Sequence, residues 1–276
     1  MNLEFTHIAL FAVALLLTGC VSGFLAGLLG VGGGIIVVPI LYMLFPALDV
    51  PEAIRMHLAV GTSLAIIIPT AITSARAHYA KGGLDPKLLR ALAPSILVGV
   101  VAGSIFGGKA SGTTLILIFA IIALLVSIYM AFRRDSWVLA SALPASPLLR
   151  APIGLFIGWF SVLMGIGGGT LSVPILSAFS VEMRRAVGTA SAVGILIGVP
   201  GALGFIATGW GNPLLPPFSL GYCSLIGCAL IVPASMLTAP WGVRTAHAIA
   251  PALLRRVFAV FLSLTSLKMF LSAFGG

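Results

Sequence analysis

The chain is a succession of strongly apolar stretches separated by short polar segments. Most of these stretches reach the ~20 residues that cross a bilayer core of about 30 Å. Continuous apolarity predicts membrane helices rather than soluble-domain helices, which carry one apolar face. The stretches cover residues 8–29, 35–48, 56–74, 88–108, 114–132, 152–164, 170–179, 186–208, 214–239 and 253–274.

Glycines interrupt the apolar pattern at two matching places. Residues 29–41 read LGVGGGIIVVPIL and residues 164–176 read MGIGGGTLSVPIL, with eight of thirteen positions identical at an offset of 135. Consecutive glycines break a helix, and the prolines Pro39 and Pro174 weaken the helices that follow. In lipid, such a break is tolerated only where protein or a water-filled cavity satisfies the backbone. Paired breaks in two halves therefore predict a transport site.

Two further matches extend the duplication along the chain. Residues 59–63 (AVGTS) correspond to residues 186–190 (AVGTA), and residues 119–130 correspond to residues 258–269. We predict an all-α polytopic membrane protein of two homologous repeats. Each repeat has a glycine-interrupted pair of short helices and three spanning helices. The predicted units are a first repeat (1–132), a cytoplasmic linker (133–150) and a second repeat (151–276).

Composition and charge place the chain in a bilayer. Hydrophobic residues make up 60% of the 276 residues and charged residues only 8%, which excludes an ordinary soluble domain. The net charge of +9 is concentrated in residues 76–90, 133–150 and 244–256, between apolar stretches. This distribution follows the positive-inside rule and argues against a nucleic-acid partner. We expect a multi-pass protein of the inner membrane, surrounded by the lipid bilayer.

The same charges bear on the relative orientation of the repeats. If the three basic segments are cytoplasmic, each glycine pair enters and leaves on one side of the membrane. Five elements per half then make the repeats inverted and place both termini outside. If each glycine motif is a kink in one continuous span, the repeats are parallel and residues 244–256 face outward, against the rule. The charge pattern favours the inverted interpretation.

The duplicated motif G-x-G-G-G-x-x-x-V-P-x-L, followed in each half by A-V-G-T-[SA], resembles the TauE/SafE family. This family of sulfite and sulfonate exporters is also called the toluene-sulfonate uptake permease family, and the resemblance covers essentially the whole chain. It implies an alternating-access transporter of small sulfur-containing anions, such as sulfite, sulfoacetate or other organosulfonates. The motifs are specific to the family but not to one substrate.

Backbone amides at helix N-termini can bind a sulfur oxyanion without a cationic side chain. We expect the break glycines to form this site near the midplane and nearby hydroxyls to add donors. Close helix packing by the glycines and back-bonding by the hydroxyls are alternatives that stay open. The predicted substrate-binding residues are Gly32, Gly33, Gly34, Thr62, Ser63, Gly167, Gly168, Gly169, Thr170, Thr189 and Ser191. The predicted helix-break support is Gly30, Pro39, Gly165 and Pro174.

Titratable side chains offer few candidates for other chemistry. His57 and His78 flank the third apolar stretch and, with Arg76, are candidates for a gate or a proton-linked step. The alternatives are surface histidines and an arginine that only sets topology. All six acidic residues fall at or near predicted loops, so no carboxylate relay or charged sodium cage is visible: Glu4, Asp49, Glu52, Asp85, Asp135 and Glu182.

Other function classes find less support. The sequence has no HExxH motif, no Cys-His constellation and no phosphate loop, so we predict no metal, no cofactor and no enzymatic activity. An anion channel, or a permease for another small organic anion, is the main alternative, and an intramembrane enzyme is a minor one. The sequence leaves open the particular anion, the direction, the coupling ion, homo-oligomerisation, and whether the glycine pairs are re-entrant hairpins or full spans.

Overall fold

A computed structural model describes residues 2–30, 32–132 and 139–274 of the chain. These residues form helices without any β-strand, which confirms the all-helical prediction. Six of the described helices are long and apolar enough to cross a membrane. The helices are α1 (Asn2–Leu29), α2 (Gly34–Leu44), α3 (Glu52–Ala80), α4 (Pro86–Lys109), α5 (Gly112–Phe132), α6 (Pro147–Leu163), α7 (Gly169–Ala178), α8 (Met183–Thr208), α9 (Leu225–Ala248) and α10 (Pro251–Phe274).

The helices follow the predicted order, but some predicted limits are wrong. Helix α1 has 28 residues and is not one of two short helices. Helix α6 already begins at Pro147, because proline suits the first turn of a helix. Part of the predicted linker, residues 133–138, lies outside the described residues. The helix expected over residues 214–239 is displaced to α9, because glycines and prolines in residues 209–221 prevent an earlier start and Ser224 caps the helix.

Glycine faces show in which direction neighbouring helices run. Gly19 of α1 lies against Ile231 of α9, and Gly27 lies against Ala239, so these two helices are parallel. Helices α4 and α6 pack in parallel in the same way. Because glycine has no side chain, the two backbones approach closely, as is common between helices in lipid.

Helices that correspond to one another in the two repeats run antiparallel. Gly194 of α8 lies against Ala71 of α3, whereas Gly201 lies against Leu64. Helices α5 and α10 are also antiparallel, because Ser127 of α5 donates to the Ala259 carbonyl of α10, whereas Ser266 of α10 donates to the Ala120 carbonyl of α5. Inverted repeats require this arrangement. Their orientation relative to the membrane stays a prediction.

Each glycine-interrupted pair returns to the end of the molecule from which it started. Helices α3 and α9 run parallel and begin toward the same end of the molecule. The Ser224 amide at the start of α9 donates to Thr62 Oγ1 inside α3 over 2.8 Å, and further along the pair Thr70 Oγ1 lies 2.8 Å from Ser235 Oγ. Helix α1 runs parallel to α9, and α2 leads directly into α3, so α1 and α2 start and finish at this end. At the other end, the Asp85 amide donates to Thr189 Oγ1 over 3.0 Å, which brings the starts of α4 and α8 together. Helix α6 is parallel to α4, and α7 leads into α8.

The two ends differ in charge. We call the end that contains residues 81–85 and the start of α8 the basic end, because Lys81, Arg184 and Arg185 lie there. The turn between α9 and α10 is also at this end, since Arg184 Nη2 donates to the His247 carbonyl over 3.2 Å. The loop of residues 209–224 is at the opposite end.

Candidate functional site

The two predicted glycine breaks are present and meet inside the protein. Gly30, Gly32 and Gly33 have φ values of 68°, 71° and 78°, a conformation that glycine adopts without strain. Gly165 has a φ of 62° in the second break. A Cβ atom placed on Gly32 would lie 3.2 Å from the Cα atom of Gly167. The two breaks are therefore in direct contact.

Each break also packs against the third helix of the other half. Gly30 lies against the Val187 carbonyl of α8, and Gly165 lies against Val60 of α3. The two valines occupy the same position in the AVGT sequences, so the contacts correspond. In addition, Ser63 Oγ donates to the Gly165 carbonyl over 2.7 Å. The AVGT sequences thus hold the breaks from both sides.

Helices α2 and α7 begin in the breaks with uncapped N-termini. Gly33 and Gly168 are their N-cap residues, and no side chain among the described residues caps either helix. The first residues of both helices, Gly34 and Gly169, are buried. Amides of a first helical turn have no acceptor within the helix, and the helix dipole favours negative charge near them. Two such ends in contact can bind an anion.

Three buried hydroxyls without a partner in the described structure belong to the second break and its flanking helices. Thr170 lies in the first turn of α7, is 1% exposed, and its Oγ1 has no hydrogen-bond partner in the described structure. Ser161 and Ser172 are equally buried and also lack a partner there. Sequence analysis missed these two serines, because single serines are common in membrane helices. The corresponding positions of the first half are apolar: Ala26, Ile35 and Val37.

Two predicted hydroxyls lie away from the breaks. Thr62 accepts a hydrogen bond from the amide of Ser224, the N-cap residue of α9. Thr189 accepts one from the amide of Asp85, the N-cap residue of α4. These two contacts correspond in the repeats. The threonines therefore tie the halves together where α9 and α4 begin.

The remaining predicted residues are a serine on α8 and the two prolines that follow the breaks. Ser191 Oγ donates to the Val187 carbonyl over 3.0 Å. This hydrogen bond to the preceding helical turn is the alternative to a role as an anion donor. Pro39 and Pro174 lie inside α2 and α7. Each lines an apolar groove, of about 160 Å³ for Pro39 and about 240 Å³ for Pro174.

Both predicted histidines are buried, so the alternative of surface histidines is wrong. His57 is 4% exposed, and its Nε2 lies 2.9 Å from the Ala110 carbonyl at the opposite end. His78 is 1% exposed, and its Nε2 lies 3.1 Å from the Gly27 carbonyl, three residues before the first break. Arg76 is exposed near the basic end. The structure brings His78, but not His57, to a glycine break.

The partner of His78 is a residue that the sequence did not indicate. His247 of α9 is half-buried, and its Nε2 lies 3.4 Å from His78 Nδ1. The four-residue spacing of Thr70, Ser74 and His78, which predicts a polar stripe on α3, was a usable signal for this site. No described group of three His, Cys, Asp or Glu side chains is placed to hold a metal ion.

Asp85 connects the two halves at the basic end. Its carboxylate accepts hydrogen bonds from the amides of Lys87 and Leu88 and forms an ion pair with Arg185. Burial by itself would raise the pKa of the Asp85 carboxyl. The two amide hydrogen bonds and the Arg185 guanidinium outweigh burial and hold the pKa below its ordinary value.

Residues 15–269 match the family described as sulfite exporter TauE/SafE, and this range includes both breaks. The chain belongs to the TauE/SafE family. A probable membrane transporter protein of Haemophilus influenzae is 37% identical to this TauE/SafE member. The match covers 95% of the present chain and 98% of the relative. A probable membrane transporter protein of Methanocaldococcus jannaschii is 26% identical over 98% and 99% of the two chains. Another from Xylella fastidiosa is 30% identical over 69% and 70%. No solved structure matches the chain.

This TauE/SafE member is a multi-pass membrane transporter, as the family, its relatives and the six long apolar helices show together. The predicted family is confirmed. The names of these relatives specify no substrate.

Proposed function

We propose that this TauE/SafE transporter carries small sulfur-containing anions across the inner membrane by alternating access. The leading substrates are sulfite, sulfoacetate and other organosulfonates. The anion is held at the paired glycine breaks. The observation that carries this proposal is the contact between the two breaks, each of which starts an uncapped helix. The family description supports the choice of sulfur anions.

The chemistry of the breaks suits an anion with several oxygens. Sulfite and sulfonates present three oxygens around one sulfur atom, and amides at the starts of α2 and α7 can donate to them. Thr170 Oγ1, buried and without a partner in the described structure, adds a hydroxyl donor. The groups nearest to the break glycines are backbone atoms, aliphatic side chains and the Ser22 and Ser63 side chains. Helix dipoles and neutral donors therefore supply the stabilisation of charge.

The packing of the breaks supports a carrier over an open channel. The described break residues are buried, and the breaks touch each other, so an anion enters only after the halves move. Antiparallel halves around a shared site are suited to a rocking motion that opens one side at a time. Saturable flux with countertransport distinguishes this carrier from a channel, for which conductance does not saturate.

The first experiment is transport by the purified protein in liposomes. The panel is radiolabelled sulfite, sulfoacetate, taurine, thiosulfate and sulfate, each with and without unlabelled anion inside. We expect saturable uptake and countertransport of sulfite or a sulfonate. Absence of flux for every sulfur anion contradicts the substrate class, and unsaturating conductance contradicts alternating access.

A variant of the second break tests the location of the site. Leucine in place of Gly168 would meet Val193 and cover the first amides of α7. We expect Gly168→Leu to reduce the transport rate by at least about tenfold, equivalent to about 1.4 kcal/mol. The control is Gly112→Leu in α5, because the nearest atoms to a Cβ at Gly112 lie 3.7 Å away. Normal transport by properly inserted Gly168→Leu protein would refute the site.

A further inference from the structure

The histidine pair has a defined hydrogen-bond direction. Neutral histidine has one N–H donor and one acceptor nitrogen. His78 Nε2 faces the Gly27 carbonyl over 3.1 Å, which can only accept, so this nitrogen carries the hydrogen. His78 Nδ1 is then the acceptor for the Nε2–H of His247, over 3.4 Å. One ring nitrogen of the half-buried His247, Nδ1, remains available to a proton from the basic end.

Polar groups also lie between the level of His78 and the first glycine break. Ser74 lies one helical turn before His78 on α3, and its Oγ is 3.2 Å from Ser191 Oγ. Ser191 Oγ also donates to the Val187 carbonyl, the group that lies against Gly30. These groups thus lie between a half-exposed histidine and the predicted anion site.

The duplication shows that the fold itself does not need these histidines. The position of α8 that corresponds to His78 is Phe205, which is fully buried. The position of α4 that corresponds to His247 is Gly108. The equivalent place at the opposite end is therefore filled by a phenyl ring and a glycine. A titratable pair at one end only indicates a role beyond packing.

Basic side chains lie beside the pair. The Lys81 amide donates to the His78 carbonyl at the end of α3, and Arg184 Nη2 of α8 donates to the His247 carbonyl. Asp85 is the nearby carboxylate of the connecting loop, and it is paired with Arg185. A proton on His78 consequently finds no free carboxylate among these groups. An anion at the neighbouring break is the countercharge that is missing.

We propose that this transporter moves a proton together with its anion, and that His247 and His78 form the proton site; the inference rests on the function proposed above. A hydronium ion gives a proton to His247 Nδ1 and becomes water, and the His247 Nε2 proton passes to His78 Nδ1. His247 is then neutral again, and His78 is an imidazolium with both nitrogens protonated. No other bond forms or breaks. The proton leaves with the anion when the carrier opens to the other side.

Mutual stabilisation couples the two substrates. The His78 imidazolium next to the first break raises the affinity for the anion. The bound anion raises the proton affinity of His78 by the same factor, since binding linkage is reciprocal. Histidine is suited to this role, because its ordinary pKa lies near neutrality. Protonation also replaces the acceptor nitrogen of His78 by a donor. The hydrogen bond between the two rings therefore reverses its direction, and His78 Nδ1 now donates to His247 Nε2.

The test measures proton and anion movement in the same liposomes. Methanesulfonate is the probe, because it keeps one negative charge at every working pH and its own protonation does not contribute. Pyranine inside the liposomes reports internal pH. A pH difference of one unit, acidic outside, is expected to drive about tenfold accumulation of a monoanion that moves with one proton.

Three variants separate coupling from transport itself. In His78→Gln and His247→Gln we expect exchange of methanesulfonate without a pH difference to continue, while accumulation driven by the pH difference and internal acidification are lost. His57→Gln is the matched control, because His57 is also buried on α3 but contacts Ala110 at the opposite end. It should keep coupled accumulation.

The possible outcomes distinguish this inference from the proposed function. Exchange by the wild type without proton movement overturns proton coupling but leaves the anion carrier intact. Coupled accumulation that persists in either of the first two variants overturns the histidine assignment. Absence of any sulfur-anion exchange by the wild type instead refutes the proposed function.

Discussion

Thr170, a residue of the proposed anion site, is buried in a way that costs stability. It is fully enclosed, yet its hydroxyl has no hydrogen-bond partner in the described structure. An unsatisfied buried hydroxyl destabilises a protein by about 1–3 kcal/mol. The corresponding residue of the first half, Ile35, avoids this cost. Under the proposed function, the partner of the hydroxyl at position 170 is the transported anion.

Removal of this hydroxyl tests the explanation. We expect Thr170→Val to raise the KM for sulfite or a sulfonate about tenfold, from the loss of about 1.4 kcal/mol of binding, while thermal stability is kept or increased. Thr62→Val should instead lower thermal stability, because Thr62 accepts the Ser224 amide. Saturation kinetics in liposomes and unfolding curves in detergent give the two readouts. A loss of stability in Thr170→Val would argue for a structural hydroxyl.

At the scale of helices, the repeats are joined where α4 and α9 begin. Asp85 and Ser224 are N-caps whose side chains accept amides of the first helical turn, and their own amides donate to Thr189 and Thr62. Each cap thus orders its own helix and fixes it to the third helix of the other half. Glu182 begins α8 without a side-chain cap.

The Asp85 cap has a predictable dependence on pH. Because its pKa is lowered in the folded protein, the carboxylate stabilises the fold above its ordinary pKa of about 3.9, and this contribution is lost as the pH falls through the lowered value. We expect Asp85→Ala to lower the free energy of unfolding by about 1 kcal/mol at neutral pH. The difference from wild type should shrink in acid. Glu182→Ala is the control and should change stability little at either pH.

For the whole molecule, the charge difference between the two ends defines an orientation. The start of α1 lies at the opposite end, with the start of α9, and α10 runs back from the basic end. Both ends of the described chain are thus remote from Lys81, Arg184 and Arg185. The positive-inside rule then favours a cytoplasmic basic end and external termini. The proton site would consequently face the cytoplasm.

Labelling of single cysteines in intact cells tests this orientation. The background replaces Cys20, Cys223 and Cys228 by alanine. We expect a membrane-impermeant maleimide to label Leu214→Cys in intact cells, and Lys81→Cys only after permeabilisation. Both positions are exposed and lie at different ends. The reverse labelling pattern would contradict a cytoplasmic basic end.

The sequence alone determined that the chain lies in a lipid bilayer, the order of its helices and the duplicated break. The length of an apolar stretch and a run of consecutive glycines act locally on the chain. It also indicated Gly32, Gly167 and Ser63. In the structure Gly32 and Gly167 contact each other, and Ser63 donates to the second break. Only the tertiary structure decided that Thr62 holds a helix start, that Thr170 lacks a partner, and that His78 meets His247. These roles depend on contacts between segments that are far apart in sequence. Such contacts are set by how closely glycine faces allow helices to pack, which no local pattern specifies.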